Sequence, residues 1–217
     1  MEFDVVILGG GSAGYAAASS AQSHGAKVAI VEPGPLGGLC ILRGCMPTKT
    51  ILRSSDIISL MRRAEEFGLL PVEAGAELAA INDRKNLLIG EFTDYRVEQL
   101  KDPRFKLIQE KAEFISSNEV RVGTKTLKAN SFIIATGSVI TEYPIPGLKE
   151  TGYVTSDEVL TMRNTPESII VLGAGAVAVE LAQFFLRIGT KVTLIQRSSH
   201  ILSSGDEDLA HPVEDRF

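Results

Sequence analysis

Residues 3–32 read FDVVILGGGSAGYAAASSAQSHGAKVAIVE, and this segment sets the architecture of the chain. It begins with the apolar run Phe3–Leu8, which is typical of a parallel strand buried on both faces. A run of three glycines follows, and an alanine-rich helical segment then continues to about His24. A second apolar run, Lys27–Val31, ends at Glu32. The order of strand, glycine turn, helix and strand predicts a β-α-β unit of an α/β protein.

The glycine turn has the Gly-x-Gly-x-x-Gly spacing of dinucleotide-binding folds. Its glycines allow a tight turn, close approach of the backbone to a pyrophosphate, and close packing of the helix on the strand. The pyrophosphate would lie at the N-terminus of the helix, where unpaired N–H groups and the helix dipole favour negative charge. The residues of the turn predicted to bind the dinucleotide are Gly9, Gly11, Ser12, Ala13 and Gly14. Glu32 is placed to accept hydrogen bonds from ribose hydroxyls.

The same pattern returns 164 residues further along the chain. Ser168–Leu172 is a predicted strand, Val179–Ile188 a predicted helix and Lys191–Ile195 another predicted strand. The turn between the first strand and the helix has small residues at the three characteristic positions, Gly173, Gly175 and Ala178. Two copies of one unit predict two Rossmann-like three-layer domains, one for each dinucleotide.

The rigid connector at residues 143–147, Tyr-Pro-Ile-Pro-Gly, is the predicted domain boundary. It gives a first dinucleotide-binding domain over residues 1–147 and the first part of a second one over residues 148–217. Twenty residues follow Arg197, whereas an open nucleotide-binding sheet needs further strands. We therefore expect the second domain to be incomplete in this chain, which would be the N-terminal portion of a longer enzyme.

The segment between the two glycine turns is mixed. Pro47–Phe67 and Ala76–Leu100 are predicted helices, and Phe132–Ala135 is a predicted buried strand. Glu119–Val122 and Thr124–Lys128 are predicted to form a hairpin about the intervening glycine.

The end of the second β-α-β unit bears on the choice of nicotinamide cofactor. Gln196 occupies the position that matches Glu32, and Arg197 follows it. A carboxylate at this position would repel a 2′-phosphate, whereas an arginine can pair with one. The pair favours NADP(H), and the alternative is that Arg197 is a solvated surface charge.

Composition excludes several classes of protein. The net charge of −5 and the pI near 5.3 argue against a nucleic-acid binder, which usually carries a basic stripe. No apolar run has the roughly 18 residues that are needed to span a bilayer. The N-terminus carries Glu2 and Asp4 and no basic residues before its apolar run, so it does not resemble a secretory leader. We therefore expect a cytoplasmic protein, in which a permanent structural disulfide is unusual.

Both cysteines of the chain, Cys40 and Cys45, lie within the segment GGLCILRGCMPTK of residues 37–49. Metal ligation would need further ligands, and the chain offers no third cysteine and three scattered histidines. A structural bridge, a redox couple and two inert buried thiols remain as alternatives. No metal site is predicted.

Geometry limits how the two cysteines could be bridged. In a regular helix, residues five apart have Cα atoms about 8.6 Å from each other, but a disulfide tolerates at most about 7 Å. A bridge therefore requires a distorted segment, which Gly44 favours. Pro47 suits the first position of the next helix, which would place Cys45 near an N-terminus that stabilises a thiolate for disulfide exchange.

This segment resembles the redox motif of the class I pyridine nucleotide–disulfide oxidoreductases, a flavoenzyme family that includes dihydrolipoamide dehydrogenase, glutathione reductase and mercuric reductase. The family pattern is Gly-Gly-x-Cys, four residues, and Cys-x-Pro-[Ser/Thr/Lys]-Lys. Cys40, Cys45, Pro47 and Lys49 match it. The resemblance continues through residues 135–138 and 155–157 into the second glycine turn, and so covers essentially the whole chain.

The resemblance implies roles for individual residues. Cys40 would be the interchange thiol that meets substrate, and Cys45 would be the thiol next to the flavin. Lys49 would lie near flavin N5 as a buried lysine, paired with Glu180 on the helix after the second glycine turn. The first unit would hold FAD and the second NAD(P)H. Further residues implied beside the FAD are Gly38, Ala135, Thr136 and Gly137.

By the same resemblance, electrons would pass from nicotinamide to flavin, to the Cys40–Cys45 disulfide, and to a small disulfide substrate. The family enzymes are homodimers whose C-terminal domain supplies a histidine–glutamate acid/base pair, and neither His200 nor His211 lies in that motif. Ala176 replaces a tyrosine of glutathione reductases, which argues against that assignment. The favoured activity is most like dihydrolipoamide dehydrogenase. The alternatives are a mercuric reductase, an NADPH-dependent reductase of small disulfides, or an inactive nucleotide-binding fragment.

Overall fold

The computed structural model describes residues 1–216, which divide into two compact units. The first unit comprises Met1–Met46 and Leu88–Tyr143, and the second comprises Pro47–Leu87 and the residues from Pro144 onward. Each unit is built around its own sheet. The assignment of residues 1–147 and 148–217 to two cofactor domains stays a prediction.

The first unit contains a six-stranded sheet. Its strands are β1 (Glu2–Leu8), β2 (Val28–Val31), β3 (Phe105–Ile108), β4 (Ala112–Ser116), β5 (Glu119–Val122) and β6 (Lys125–Ile134). Their order in the sheet is β3-β2-β1-β6-β5-β4. The first four strands in this order run parallel, and β5 and β4 continue the sheet with antiparallel pairing. The sheet confirms the predicted Rossmann-like α/β class.

The central strand β1 is buried because each of its faces packs on a different apolar cluster. Val6 and Leu8 belong to a cluster completed by residues of β5 and β6, whereas Ile7 points into a cluster with Ala18 and Leu100. Ala18 lies on helix α1 (Ser12–Ser23), and the short helix α2 (Gly38–Leu42) follows β2. Burial on both faces explains why the second half of β1, Val5–Leu8, is entirely apolar.

Two helices belong partly to each unit. They are α3 (Cys45–Arg62) and α4 (Leu78–Leu100). The first 3₁₀ turn, Ala64–Phe67, follows α3.

The second unit contains a parallel pair of strands, β7 (Ser168–Leu172) and β8 (Lys191–Ile195), joined by helix α6 (Ala176–Arg187). Its remaining elements are the 3₁₀ turn Lys149–Thr151 and the helices α5 (Ser156–Val159) and α7 (Glu207–Glu214). Thr155 and Glu158 form a capping box that starts α5. The core of this unit gathers apolar residues of α3, α4, α5 and α6.

Several predicted elements differ from the structure. The strands predicted at residues 124–128 and 132–135 are one continuous strand, β6, because its start pairs with β5 and its end pairs with β1. Helix α3 begins at Cys45 and ends at Arg62, so Pro47 is its third residue and not its first. Strands β3 and β4 and helices α2, α5 and α7 were not predicted, because each has eight residues or fewer.

Candidate functional site

The first glycine turn is closed by contacts that leave no room for side chains. Gly9 has φ of +110°, and a Cβ there would overlap the carbonyl group of Ala135. A Cβ on Gly14 would overlap the carbonyl oxygen of Gly9. The N–H of Gly9 donates to the carbonyl oxygen of Val31 at 2.8 Å, which ties the turn to the end of β2. The turn therefore requires glycine at both positions, as the sequence predicts.

The N-terminus of α1 and the carboxylate of Glu32 lie at this turn. Gly11 is the N-cap residue, and no side chain makes a capping hydrogen bond at this anion-favouring end of α1. Glu32 accepts hydrogen bonds from the N–H groups of Gly10 at 2.7 Å and Gly34 at 2.9 Å. These bonds hold the carboxylate beside the turn, and the arrangement fits a dinucleotide with its pyrophosphate on α1 and its ribose near Glu32.

Two further backbone segments approach the turn. Gly38 has φ of +75°, and a Cβ there would overlap the Cα of Gly11. Ala135, at the end of β6, donates its N–H to the carbonyl oxygen of Leu8 at 2.8 Å. Thr136 and Gly137 follow it and are exposed. The structure thus brings together one group of predicted site residues in the first unit, namely Gly9, Gly11, Ser12, Ala13, Gly14, Glu32, Gly38 and Ala135.

The two cysteines flank a break between helices. Helix α2 ends at Leu42, and α3 starts at Cys45. A Cβ on Gly44 would lie 2.9 Å from the carbonyl oxygen of Leu39 and 3.1 Å from the Cα of Cys40, so glycine permits the close turn. The break confirms that the segment between the cysteines is not a regular helix, which is the condition for a disulfide between them.

The thiol groups of the pair are free and interact with each other. Cys45 is exposed at the first residue of α3, and Cys40 is half-buried. The pKa of Cys40 is raised, first by burial and then by the hydrogen bond and charge of the Cys45 thiol. Because burial and the neighbouring sulfur both disfavour a negative charge on Cys40, its thiol keeps its proton more firmly than an ordinary thiol does.

The second unit contains the predicted lysine–glutamate pair. Lys49 Nζ donates to Glu180 Oε1 and forms an ion pair, which joins α3 to α6. The side chain of Lys49 is 58% exposed and that of Glu180 is 36% exposed. The expectation that Lys49 is buried is therefore wrong, because in this chain the pair lies at the surface of the second unit.

The second glycine turn repeats the backbone geometry of the first. The N–H of Gly173 donates to the carbonyl oxygen of Ile195 at 2.8 Å, which is the bond that Gly9 makes to Val31 in the first turn. Gly175 caps α6 in the same extended conformation in which Gly11 caps α1. A Cβ on Gly173 or Gly175 meets nothing within 4 Å, so this turn is open where the first is closed. The repeat confirms the second β-α-β unit.

The remaining predicted nicotinamide-site residues lie around this turn and at the end of β8. Ala178 is half-buried on α6. The side chain of Gln196 donates to the hydroxyl oxygen of Ser203 at 3.3 Å, and Arg197 is exposed. An exposed Arg197 is available to an anionic group in solution.

Two other properties concern the described residues as a whole. Over residues 1–216, no group of three or more histidine, cysteine, aspartate or glutamate side chains is arranged to hold a metal ion. Among the helices of the same residues, none combines the length and apolarity that crossing a membrane requires.

The comparison with known proteins identifies the family. A family model described as pyridine nucleotide-disulphide oxidoreductase matches residues 3–217. The chain belongs to this family of oxidoreductases. Members of the family depend on a flavin and use pyridine nucleotides, in agreement with the two glycine turns.

Individual relatives align over nearly the whole chain. A mercuric reductase from Staphylococcus aureus is 34% identical over 215 residues, which cover 99% of this chain and 39% of the relative. A dihydrolipoyl dehydrogenase from Acholeplasma laidlawii is 38% identical over 213 residues, which cover 96% of this chain and 63% of the relative.

A solved structure shows the same fold. The Cu(II) complex of RclA, an HOCl-induced flavoprotein disulfide reductase from Escherichia coli, superposes with a TM-score of 0.83 and 28% identity over 98% of this chain and 46% of that chain. The present chain thus spans between 39% and 63% of the lengths of these three proteins.

Sequence reasoning missed two kinds of contact. The N–H groups of Gly10 and Gly34 fix Glu32, and the fingerprint spacing assigns no role to either residue. Asp56 on α3 also forms an ion pair with Arg187 on α6. These two residues are 131 positions apart, and no local pattern in the sequence links them.

Proposed function

We propose that this chain is the N-terminal portion of an FAD-dependent NAD(P)H:disulfide oxidoreductase, most like dihydrolipoamide dehydrogenase. The observation that carries the proposal is the pair of interacting free thiols, Cys40 and Cys45, at a helix break that permits a disulfide. The full-length enzyme would be a cytoplasmic homodimer acting on a small disulfide or dithiol, with no nucleic-acid or membrane partner.

The first unit supplies the groups that would hold FAD. The pyrophosphate would bind at the N-terminus of α1 among Gly9, Gly11 and Gly14, where backbone N–H groups favour an anion. Glu32 would accept hydrogen bonds from the adenosine ribose. The flavin, when bound, supplies hydride acceptance from nicotinamide and electron exchange with a disulfide.

The two thiols would form the redox couple of the chain. Oxidation removes two electrons and two protons and joins the sulfurs of Cys40 and Cys45, and reduction restores the two thiols. Cys45, the first residue of α3, would sit on the flavin side. Cys40 would attack the substrate disulfide after losing its proton, and its raised pKa means that a base must accept that proton.

Lys49 and Glu180 would serve the flavin side of the site. The ion pair restricts the side chain of Lys49, so that its ammonium group occupies a defined place beside α6. A positive charge held in this way favours negative charge that develops near it.

The nicotinamide cofactor is proposed to be NADP(H). Support comes from the absence of a carboxylate at Gln196 and from the exposed guanidinium of Arg197, which suits a 2′-phosphate. The rates of flavin reduction by NADPH and NADH distinguish the two cofactors, and a faster reaction with NADH would contradict this assignment.

The direct test of the proposed function uses flavin spectroscopy. The chain loaded with FAD should develop a long-wavelength charge-transfer absorbance after two-electron reduction, because Cys45 would lie against the flavin as a thiolate. Cys45→Ser should abolish this absorbance, and Cys40→Ser should retain it. If the absorbance survives Cys45→Ser, or if no flavin binds, the proposal is wrong.

Reduction of a soft metal ion is a second candidate. The mercuric reductase of Staphylococcus aureus and the Cu(II) complex of RclA both align with almost all of this chain. Two neighbouring thiols are suitable ligands for such ions. Oxidation of NADPH that depends on Hg(II) or Cu(II), and not on a small disulfide, would favour this candidate over the first.

A further inference from the structure

Helices α3 and α6 are joined by two ion pairs in the same register. Lys49 pairs with Glu180, and Asp56 pairs with Arg187. In both pairs the partners are separated by 131 positions. The second pair therefore lies seven residues after the first on each helix, which means that α3 and α6 run side by side in the same direction.

Apolar residues between these helices follow the same spacing. Ile51 and Ile58 on α3 are seven residues apart and buried, as are Leu181 on α6 and Ile188, the residue that caps the C-terminus of α6. All four belong to one buried cluster with Phe184. A seven-residue repeat on both partners is the arrangement that keeps the same faces of two parallel helices in contact over successive turns.

The charges alternate along the two helices. On α3 the positive Lys49 precedes the negative Asp56, and on α6 the negative Glu180 precedes the positive Arg187. The apolar repeat alone would also allow α3 to shift by seven residues along α6, because apolar residues would still face apolar residues. Such a slip would place Lys49 opposite Arg187, or Asp56 opposite Glu180, and like charges in contact repel. The alternation thus selects a single register.

The ion pair between Asp56 and Arg187 is partly exposed to water. This exposure indicates that the pair selects the register of the two helices and does not mainly stabilise the fold. The Arg187 side chain is 26% exposed and that of Asp56 is 45% exposed. Ion pairs with this much contact with water contribute little to the free energy of folding. Their charges still discriminate between registers, because a wrong register replaces an attraction with a repulsion.

We propose that Asp56 and Arg187 are positioning residues that fix the register of α3 on α6 and thereby hold Lys49 against Glu180. The importance of that contact for catalysis rests on the proposed function, but the contact itself does not. A zero-length carbodiimide crosslink, which joins a lysine amine to a carboxylate in contact with it, reports the contact directly without any flavin.

The experiment compares the yield of the Lys49–Glu180 crosslink, measured by peptide mass spectrometry, among variants of the 217-residue chain. Asp56→Arg and Arg187→Asp should each lower the yield about tenfold, since a displacement near 1 Å can disrupt a positioned contact. The double variant Asp56→Arg with Arg187→Asp should restore it, because the exchanged charges attract again. Asp83→Arg and Arg163→Asp, at another exposed ion pair of the second unit, are matched controls and should leave the yield unchanged.

Circular dichroism establishes that each variant is folded, and Asp56→Asn replaces Asp56→Arg if the latter is not. An unchanged yield in the folded single variants, or a double variant that stays low, would overturn the proposal. In the FAD-loaded chain, the flavin midpoint potential should shift in Asp56→Arg and return in the double variant. If the crosslink follows the prediction but the potential does not move, the register is as proposed and the proposed function of Lys49 is wrong.

Discussion

Cys40 differs from an ordinary thiol because it is half-buried and contacts a second thiol. Both effects raise its pKa, with burial the larger. Cys45→Ala removes the second effect and leaves burial, so the pKa of Cys40 should fall. The pH dependence of Cys40 alkylation by iodoacetamide, read by mass spectrometry, measures this. An alkylation profile that does not move toward lower pH would contradict the contact between the thiols.

A second residue with an unusual environment is Lys85 on α4, which is 5% exposed. Its ammonium group donates to the carbonyl oxygen of Leu160 at 2.7 Å and to Asn86 Oδ1 at 2.6 Å. Burial lowers the pKa of Lys85, and the charge of Asp83 opposes this effect. The folded state therefore binds the Lys85 proton less tightly than the unfolded state does.

This environment predicts how Lys85 affects stability. Lys85→Met should destabilise the chain by about 1–2 kcal/mol near neutral pH, because the carbonyl of Leu160 loses its donor. The lowered pKa makes the contribution of Lys85 grow as the pH rises toward the ordinary lysine value and shrink as the pH falls. Urea unfolding at several pH values measures the difference. A difference that is largest at low pH would contradict the sign, and Lys101→Met at an exposed position is the control.

At the scale of elements, the junction of β1 with α1 depends on Gly14. A Cβ there would overlap the carbonyl oxygen of Gly9, which is backbone and cannot move aside. We expect Gly14→Ala to destabilise the chain by about 2–3 kcal/mol, as overpacking does, and to weaken FAD binding. Thermal unfolding and FAD titration measure both effects.

Gly90→Ala is the matched control for this prediction. Gly90 also lies within a helix, α4, but it is exposed and a Cβ there meets nothing within 4 Å. The substitution should stabilise the chain by about 0.5–1 kcal/mol, since alanine favours a helix over glycine. Similar effects of the two substitutions would contradict the closed geometry of the first turn.

The elements also show what the sequence could predict. The two β-α-β units were predictable because their strands, glycine turns and helices follow one another within about 30 residues. Strand β6 was predicted in two pieces, because the polar Asn130 and Ser131 interrupt its apolar pattern while its backbone still pairs with β1. Its continuity depends on a partner strand more than 100 residues away, which local pattern does not reveal.

The candidate site was likewise predictable from the sequence only in part. Lys49 and Glu180 were assigned from the family motif, and the structure places them in contact. The exposure of Lys49 and the pairing of Asp56 with Arg187 depend on how two distant helices pack. Such packing depends on the shapes of many side chains and leaves no short motif in the sequence.

For the molecule as a whole, the protonation of Cys40 predicts how activity depends on pH. The chain should turn over a small dithiol or disulfide poorly at neutral pH, because Cys40 keeps its proton. Turnover should rise with pH as Cys40 ionises, unlike the bell-shaped profile of an enzyme with a dedicated acid/base group. Steady-state rates of the FAD-loaded chain across pH test this, and full turnover at neutral pH would contradict it.

The most direct test of the account is whether Cys40 and Cys45 form a reversible disulfide within one chain. After mild oxidation, intact mass spectrometry should show a monomer that has lost two hydrogen atoms, and peptide mapping should find Cys40 linked to Cys45. A dithiol reductant should restore both free thiols. If both cysteines remain open to alkylation after oxidation, or if they link only between separate chains, the redox role proposed for this segment is wrong.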